Sequence, residues 1–234
     1  MTARKMTAAR KAKLFALDLL FPNRCGCCGT IIRWDALLCD QCADALENNA
    51  VCGWDMDDAL FFRAEAAYYY ADRARDGILE LKRGGNGNFA EVIGIALAQR
   101  IKTRQTEFTA DYIIPVPAKK STIRERGYNQ AALIAKEISR LTGIAVREDC
   151  LRRLESSSVQ HTLDAKARVE NAFGYQSCGK NLDGCRILLC DDVVTTGATA
   201  RRCAALLQEQ GAAAVMLLAG TITKRKEEAH GYRN

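Results

Sequence analysis

The chain has 234 residues, a formal net charge of +6, 48% hydrophobic residues and 26% charged ones. That length holds one sizeable core plus a small appendage, and that balance is ordinary for a soluble globular protein. The charge permits attraction to phosphates or nucleic acid without requiring it, and no run approaches the roughly 18 apolar residues of a membrane-spanning helix. Eleven cysteines are present, six of them within the first 52 residues. With no convincing secretory signal, such clustering points to metal binding in a reducing cytoplasm rather than to a disulfide framework.

Residues 1–21 place basic residues before the apolar stretch LFALDLLF. Asp18 interrupts that stretch and no small-x-small cleavage pattern follows, so a signal peptide is not expected. The expectation is an amphipathic helix packing Leu14, Phe15, Leu19 and Leu20 on the body, with interfacial membrane contact as the alternative. Two C-x₂-C knuckles follow, Cys25/Cys28 and Cys39/Cys42. That is the spacing of a structural zinc ribbon, in which four thiolates close a tetrahedral shell and leave no open position for chemistry. Unliganded cysteines or a redox pair are the alternative reading. Cys27 is an awkward extra candidate for the first knuckle, and Cys52 has no C-x₂-C partner, which argues against a second metal site.

Residues 53–63 resemble a linker. A strand is predicted over 64–71, a short helix over 76–82, and a polar glycine-rich connection over 82–88; Lys82 at a sheet end is a further candidate for the site. Helical periodicity runs through 89–102. The apolar run Asp111–Pro117 reads as a buried strand ending at two prolines. Lys119, Lys120, Arg124 and Arg126 then form a basic loop, suited to the dispersed charge of a pyrophosphate. A helix is expected from 129 to 141. Residues 151–173 read as a mobile, anion-contacting loop leading into a short helix, with His161 more ordinary as a packing residue than as a catalyst.

The most informative stretch is Cys185–Arg201, CRILLCDDVVTTGATAR. Residues 186–190 suit a fully buried parallel strand, and Asp191 and Asp192 follow where such a strand would end. A small-residue turn then opens a helix with Thr199 as its expected N-cap. A loop entering a helix N-terminus presents amides to an anion, hydroxyls at 195, 196 and 199 add donors, and Gly197 allows close backbone approach. Two carboxylates beside an anion site suit sugar hydroxyls or a Mg²⁺ ion carried by a phosphate ligand. There is no Gly-Lys-Ser/Thr, so this is not a Walker loop. A last strand is expected over 213–220 and a polar, fraying tail beyond 224.

The stretch around Asp191–Thr199 resembles the phosphoribosyl pyrophosphate (PRPP) motif of type I phosphoribosyltransferases. With the two cysteine knuckles, Ile114-Pro-Val-Pro117, Arg126-Gly-Tyr-Asn-Gln130, and Arg153 with Gln160, Arg168 and Asn171, the chain resembles the ComF family from about Leu17 to Thr221. That family includes competence proteins needed for DNA uptake and relatives linked to gluconate utilisation. The resemblance implies an α/β fold: a type I phosphoribosyltransferase-like, mostly parallel sheet flanked by helices, with a small N-terminal four-cysteine zinc-ribbon domain. The division expected is 1–55 for the N-terminal helix and ribbon, and 56–234 for the phosphoribosyltransferase-like domain. Asp191 and Asp192 would hold the ribose hydroxyls, directly or through Mg²⁺, and be the catalytic pair. Val193, Val194, Thr195, Thr196, Gly197, Ala198 and Thr199 would complete the PRPP loop, with Ala118, Lys119, Arg124 and Arg126 at the pyrophosphate. Zinc would sit on Cys25, Cys28, Cys39 and Cys42. The implied reaction is displacement of pyrophosphate at ribose C1 through an oxocarbenium-like transition state. The alternative is a non-enzymatic PRPP-sensing adaptor that binds single-stranded DNA or a competence helicase. Ser157 and the unpaired Cys52 depart mildly from the family's pattern. The expected location is the cytoplasm, with no stable membrane insertion.

Overall fold

The computed structural model describes residues 18, 20–51, 54, 58–84, 87–104, 106–155 and 174–223. Most of the expected N-terminal helix, together with Cys52, Ser157, Gln160, His161, Arg168, Asn171 and the tail from 224, lies outside those residues. The elements are α1 (Asp40–Glu47), β1 (Arg63–Tyr69), α2 (Asp72–Lys82), α3 (Asn88–Thr103), β2 (Tyr112–Pro115), α4 (Lys120–Arg126), α5 (Gln130–Thr142), β3 (Ala145–Val146), β4 (Leu151–Arg153), β5 (Tyr175–Ser177), β6 (Arg186–Val194), α6 (Ala198–Gln208) and β7 (Ala214–Ile222).

Five strands form one sheet in the order β1-β7-β6-β2-β3, with every pairing parallel. The mostly parallel, helix-flanked sheet expected from the sequence is therefore present. Both faces are covered, which is why its strands read as unbroken apolar runs rather than as alternating ones. Successive side chains point to opposite faces. Ile113, Leu188, Met216 and Leu218 pack with Ile93, Leu97, Ile134 and Ile138 of α3 and α5. Ile114, Ile187, Leu189 and Leu217 pack with Cys203, Ala204 and Leu207 of α6 and with Leu151 and Tyr175. The last two belong to β4 and β5, a separate antiparallel pair that the sequence reading did not foresee.

Four further expectations need correction. The strand expected over 186–190 continues to Val194, because β7 offers a matching ladder, with Asp191 opposite Ala219 and Val194 opposite Ile222. The acidic pair thus lies within β6 rather than beyond it. The basic loop after Lys119 is a helical turn. The Glu155 carboxylate, distant in sequence, accepts from the amides of Lys120 (2.7 Å) and Ser121 (3.3 Å), and Gly127 ends the turn in the left-handed region at φ 84°. The N-cap of α6 is Gly197 at φ 78°, not Thr199, which sits one residue inside the helix. Helix α2 also starts at Asp72, four residues ahead of the periodic pattern.

The cysteine segment is packed on the body. The Asn88 side chain donates to the Asn23 side-chain oxygen (2.9 Å) and to the Arg24 carbonyl (2.7 Å), tying this segment to the start of α3. A Cβ on Gly26 would come 2.7 Å from the Phe89 backbone nitrogen, so glycine is what permits the contact. Cys25, Cys42 and Leu46 share one core with Phe89.

Gly220 of β7 marks the closest approach behind the acidic segment. A Cβ there would lie 2.7 Å from the Asp192 carbonyl oxygen. Gly220→Ala should cost about 1–3 kcal/mol by overpacking, seen as a lower urea midpoint at unchanged slope. A wild-type midpoint would mean the strands are not so closely held.

Candidate functional site

The chain leaves β2 toward β3 on one side and β6 toward β7 on the other, so the strand order reverses between β2 and β6. At such a point in an open α/β sheet the loops part, and a crevice opens at the carboxyl ends of the strands. A cavity of about 550 Å³ lies there. Val116, Pro117, Ala118 and Lys119 beyond β2 form part of its wall. Asp191, Asp192, Val193 and Thr195 of β6 and its loop, Thr199 of α6, and Lys82 of α2 form more of it. Thr122, Arg126, Asn129, Gln130, Ala131, Arg153 and Tyr175 complete the lining.

Asp191 is buried beneath this cavity and Asp192 is half-buried. Strand alternation gives Asp191 the face of Leu189 and Asp192 the face of Cys190, but the Asp191 carboxylate folds back to accept from the Asp192 amide at 2.9 Å. Burial pushes the Asp191 carboxyl well above the usual carboxylate range, and the neighbouring Asp192 adds to the effect. Lys82 Nζ lies 3.7 Å from the Asp192 Oδ2. Lys119 and Arg126 lie on the cavity wall, as does Arg153, whose guanidinium sits 4.9 Å from the Tyr175 ring centroid and donates to its hydroxyl at 2.8 Å.

The loop from Thr195 to Thr199 is held from outside the cavity. Arg201 donates to the Thr196 carbonyl at 2.7 Å and pairs with Asp58. Thr196 Oγ1 accepts from the Ala198 amide at 3.4 Å, and the Val194 carbonyl accepts from Thr223 at 3.2 Å. Of the residues singled out from the sequence, the cavity brings together Asp191, Asp192, Val193, Thr195, Thr199, Ala118, Lys119, Arg126, Arg153 and Lys82. Val194, Thr196, Gly197 and Ala198 complete the loop without lining it, and Arg124 is on the exposed side of α4. The sequence reading assigned no site role to Tyr175, Thr122 or Gln130. Gln130 stood in a quoted motif, whereas Tyr175 belongs to a hairpin that carried no readable pattern.

In the cysteine segment, the thiol sulfurs of Cys25, Cys28, Cys39 and Cys42 all lie within 4.8 Å of one another. Cys28 and Cys39 Sγ are 3.8 Å apart, close to the sulfur–sulfur separation of about 3.8 Å that a tetrahedral ion with bonds of about 2.3 Å imposes. Cys39 caps α1 and Cys42 follows one turn later on the same face. The Cys39 amide donates to Cys25 Sγ at 3.4 Å. A hydrogen bond from Cys27 holds the Cys25 thiol far below its ordinary value, at about 3. Cys27 itself is buried and is pushed strongly up by that same bond and by burial. The four sulfurs could together hold a metal ion, with Cys27 buried beside them.

No protein-family model matches the chain. Among curated proteins it is similar to Competence protein F of Haemophilus influenzae, with 27% identity over 178 residues, 75% of this chain and 74% of that one. It is 28% identical over 180 residues to DNA utilization protein YhgH of Escherichia coli (strain K12), 75% and 79% of the two chains. To Competence protein ComFC of Bacillus subtilis (strain 168) it is 27% identical over 196 residues, 79% and 78%. Among solved structures, purine phosphoribosyltransferase from Pyrococcus horikoshii Ot3 overlaps it partially: 15% identity, a TM-score of 0.38, 58% of this chain and 83% of that chain. Relatives named Competence protein F and ComFC over three quarters of the chain, with four cysteines gathered ahead of a mostly parallel sheet, bear out the ComF-family resemblance carried by the motifs.

Proposed function

We propose that the chain binds phosphoribosyl pyrophosphate with Mg²⁺ in the cavity between β2 and β6. The observation that carries this reading is the gathering of both signs of charge around one cavity. Carboxylates Asp191 and Asp192 line it together with the cations Lys82, Lys119, Arg126 and Arg153. A sugar diol suits the carboxylates and a pyrophosphate the cations. The acidic pair offers hard oxygen ligands, as Mg²⁺ requires, and too few of them for a closed cage, which leaves room for water and phosphate oxygens. When bound, the metal would neutralise charge on the leaving pyrophosphate.

In this reading the chain's own groups act by position. Thr195 and Thr199 with the Gly197 turn cradle the 5-phosphate, and Ala118 and Lys119 meet the pyrophosphate together with Arg126. Arg124 is an outer neighbour of that group. The carboxylates favour positive charge developing at the ribose ring, so the gain is orientation plus electrostatic stabilisation. The activity would be pyrophosphate displacement at ribose C1, which makes the chain a phosphoribosyltransferase acting in DNA uptake or nucleotide metabolism. The relatives' names, which speak of competence and DNA utilization, support the setting. They also favour a second reading, a PRPP-sensing adaptor for single-stranded DNA or a competence helicase. Release of pyrophosphate across a panel of bases, amines and nucleic acids separates the two, since an adaptor releases none. Residues 1–55 would be the ribbon unit, with zinc on its four cysteines, and 56–234 the phosphoribosyltransferase-like unit, working in the cytoplasm. Among the described residues no helix is long and apolar enough to cross a membrane.

Calorimetric titration of PRPP with Mg²⁺ tests the cavity. Asp192→Asn should weaken binding about tenfold or more, the scale of a lost charged contact. Asp191→Asn keeps the shape of a neutral acid, so it should fold normally and still bind poorly. No heat with wild type, or equal heat with both variants, ends the reading. For the ribbon, metal analysis should find one zinc per chain. Cys28→Ser or a strong chelator should lower the melting temperature by several degrees, because so small a segment draws much of its stability from the ion. Metal-free protein with an unchanged melting curve would contradict this.

A further inference from the structure

Lys82 ends α2, and its place is set by the motif Arg126-Gly-Tyr-Asn-Gln130. The Tyr128 hydroxyl donates to the Leu81 carbonyl at 2.8 Å, and the buried Gln130 side chain donates to the same oxygen at 3.3 Å. The last carbonyls of a helix have no partner within it, so two side-chain donors there fix where the helix stops. The Leu81 side chain is fully buried, which holds the same residue from its other side. Asn129 does parallel work on the opposite wall. Its amide donates to the Val116 carbonyl at 2.9 Å, and its oxygen caps α5 by accepting from Ala131 at 3.1 Å. These three motif side chains therefore bond to the backbone that carries the two cavity walls.

Held in this way, Lys82 places its ammonium 3.7 Å from Asp192 in the same cavity as Lys119 and Arg126. The pair is partly exposed, with the side chains 35% and 19% accessible. Such a pair binds weakly and is easily exchanged. An ammonium on a flexible four-carbon stem can change partners, whereas a guanidinium fork would stay on the carboxylate. We infer that Lys82 is an exchangeable counter-ion, positioned by Tyr128 and Gln130, which balances Asp192 in the free protein and the pyrophosphate anion in the bound one. This rests on reading the cavity as a PRPP site.

Two titrations of the full chain test it. Mn²⁺ alone, followed by electron paramagnetic resonance, reports the carboxylates. PRPP with Mg²⁺, followed by calorimetry, reports the anion. Lys82→Met should bind Mn²⁺ several-fold more tightly, because a competing cation is gone, yet lose about tenfold in affinity for PRPP. Lys82→Arg should keep weak Mn²⁺ binding and still lose PRPP affinity. The double change Tyr128→Phe with Gln130→Leu should move both constants in the directions of Lys82→Met, by less. A general loss of structure would weaken both titrations together, and that outcome overturns the proposal. Wild-type PRPP binding with Lys82→Met unchanged in both titrations also overturns it, while leaving the PRPP reading in place. No PRPP binding by wild type removes that reading and the exchange with it.

Discussion

A carboxylate carried out of water by an apolar strand must find opposite charge nearby or keep its proton. Asp191 is in that position, within a strand whose preceding residues are all fully buried from Ile187 to Cys190. Much of the protein around it can be understood as an answer to that demand. β7 pairs with β6 through Val194 and so holds the carboxylates in an extended, ordered backbone instead of a loose turn. Cations come to the same cavity from α2, α4 and β4, three elements far apart in sequence. The site is a place where sheet geometry concentrates negative charge and the surrounding loops return positive charge.

Two devices keep the walls in register. On one side, Asn129 links the end of β2 to the start of α5, while Tyr128 and Gln130 fix the end of α2. On the other, Arg201 reaches back from α6 to the Thr196 carbonyl and to Asp58, so the loop before α6 is tied on its outer side. Such bonds to backbone carbonyls set positions without using the carboxylates or the cations of the cavity, which leaves those charged groups for a ligand.

The cysteine segment is joined to this body through α3. Asn88 bonds the backbone of that segment, Gly26 lets it approach, and Phe89 fills the space below, stacked on Tyr68 at a centroid distance of 6.3 Å. The first residues of α3 thus connect the four-cysteine cluster with the sheet. Cys27 is buried in the core that Cys25 and Cys42 share with Phe89.

The residues themselves determined a good deal. Unbroken apolar runs within 111–117 and 186–190 pointed to buried strands, the two C-x₂-C spacings pointed to four sulfurs at one point, and Gly197 in a small-residue turn allowed close backbone approach. These features are local: period, spacing and backbone freedom act over a few residues. Tertiary structure alone decided the strand order that opens a crevice between β2 and β6, and the extension of β6 through its acidic pair by β7. It also decided that Glu155 turns a basic loop into a helix, and that Tyr128 and Gln130 serve Lys82. Each of those depends on a partner far away along the chain, and no local pattern reports which distant backbone group a side chain will meet.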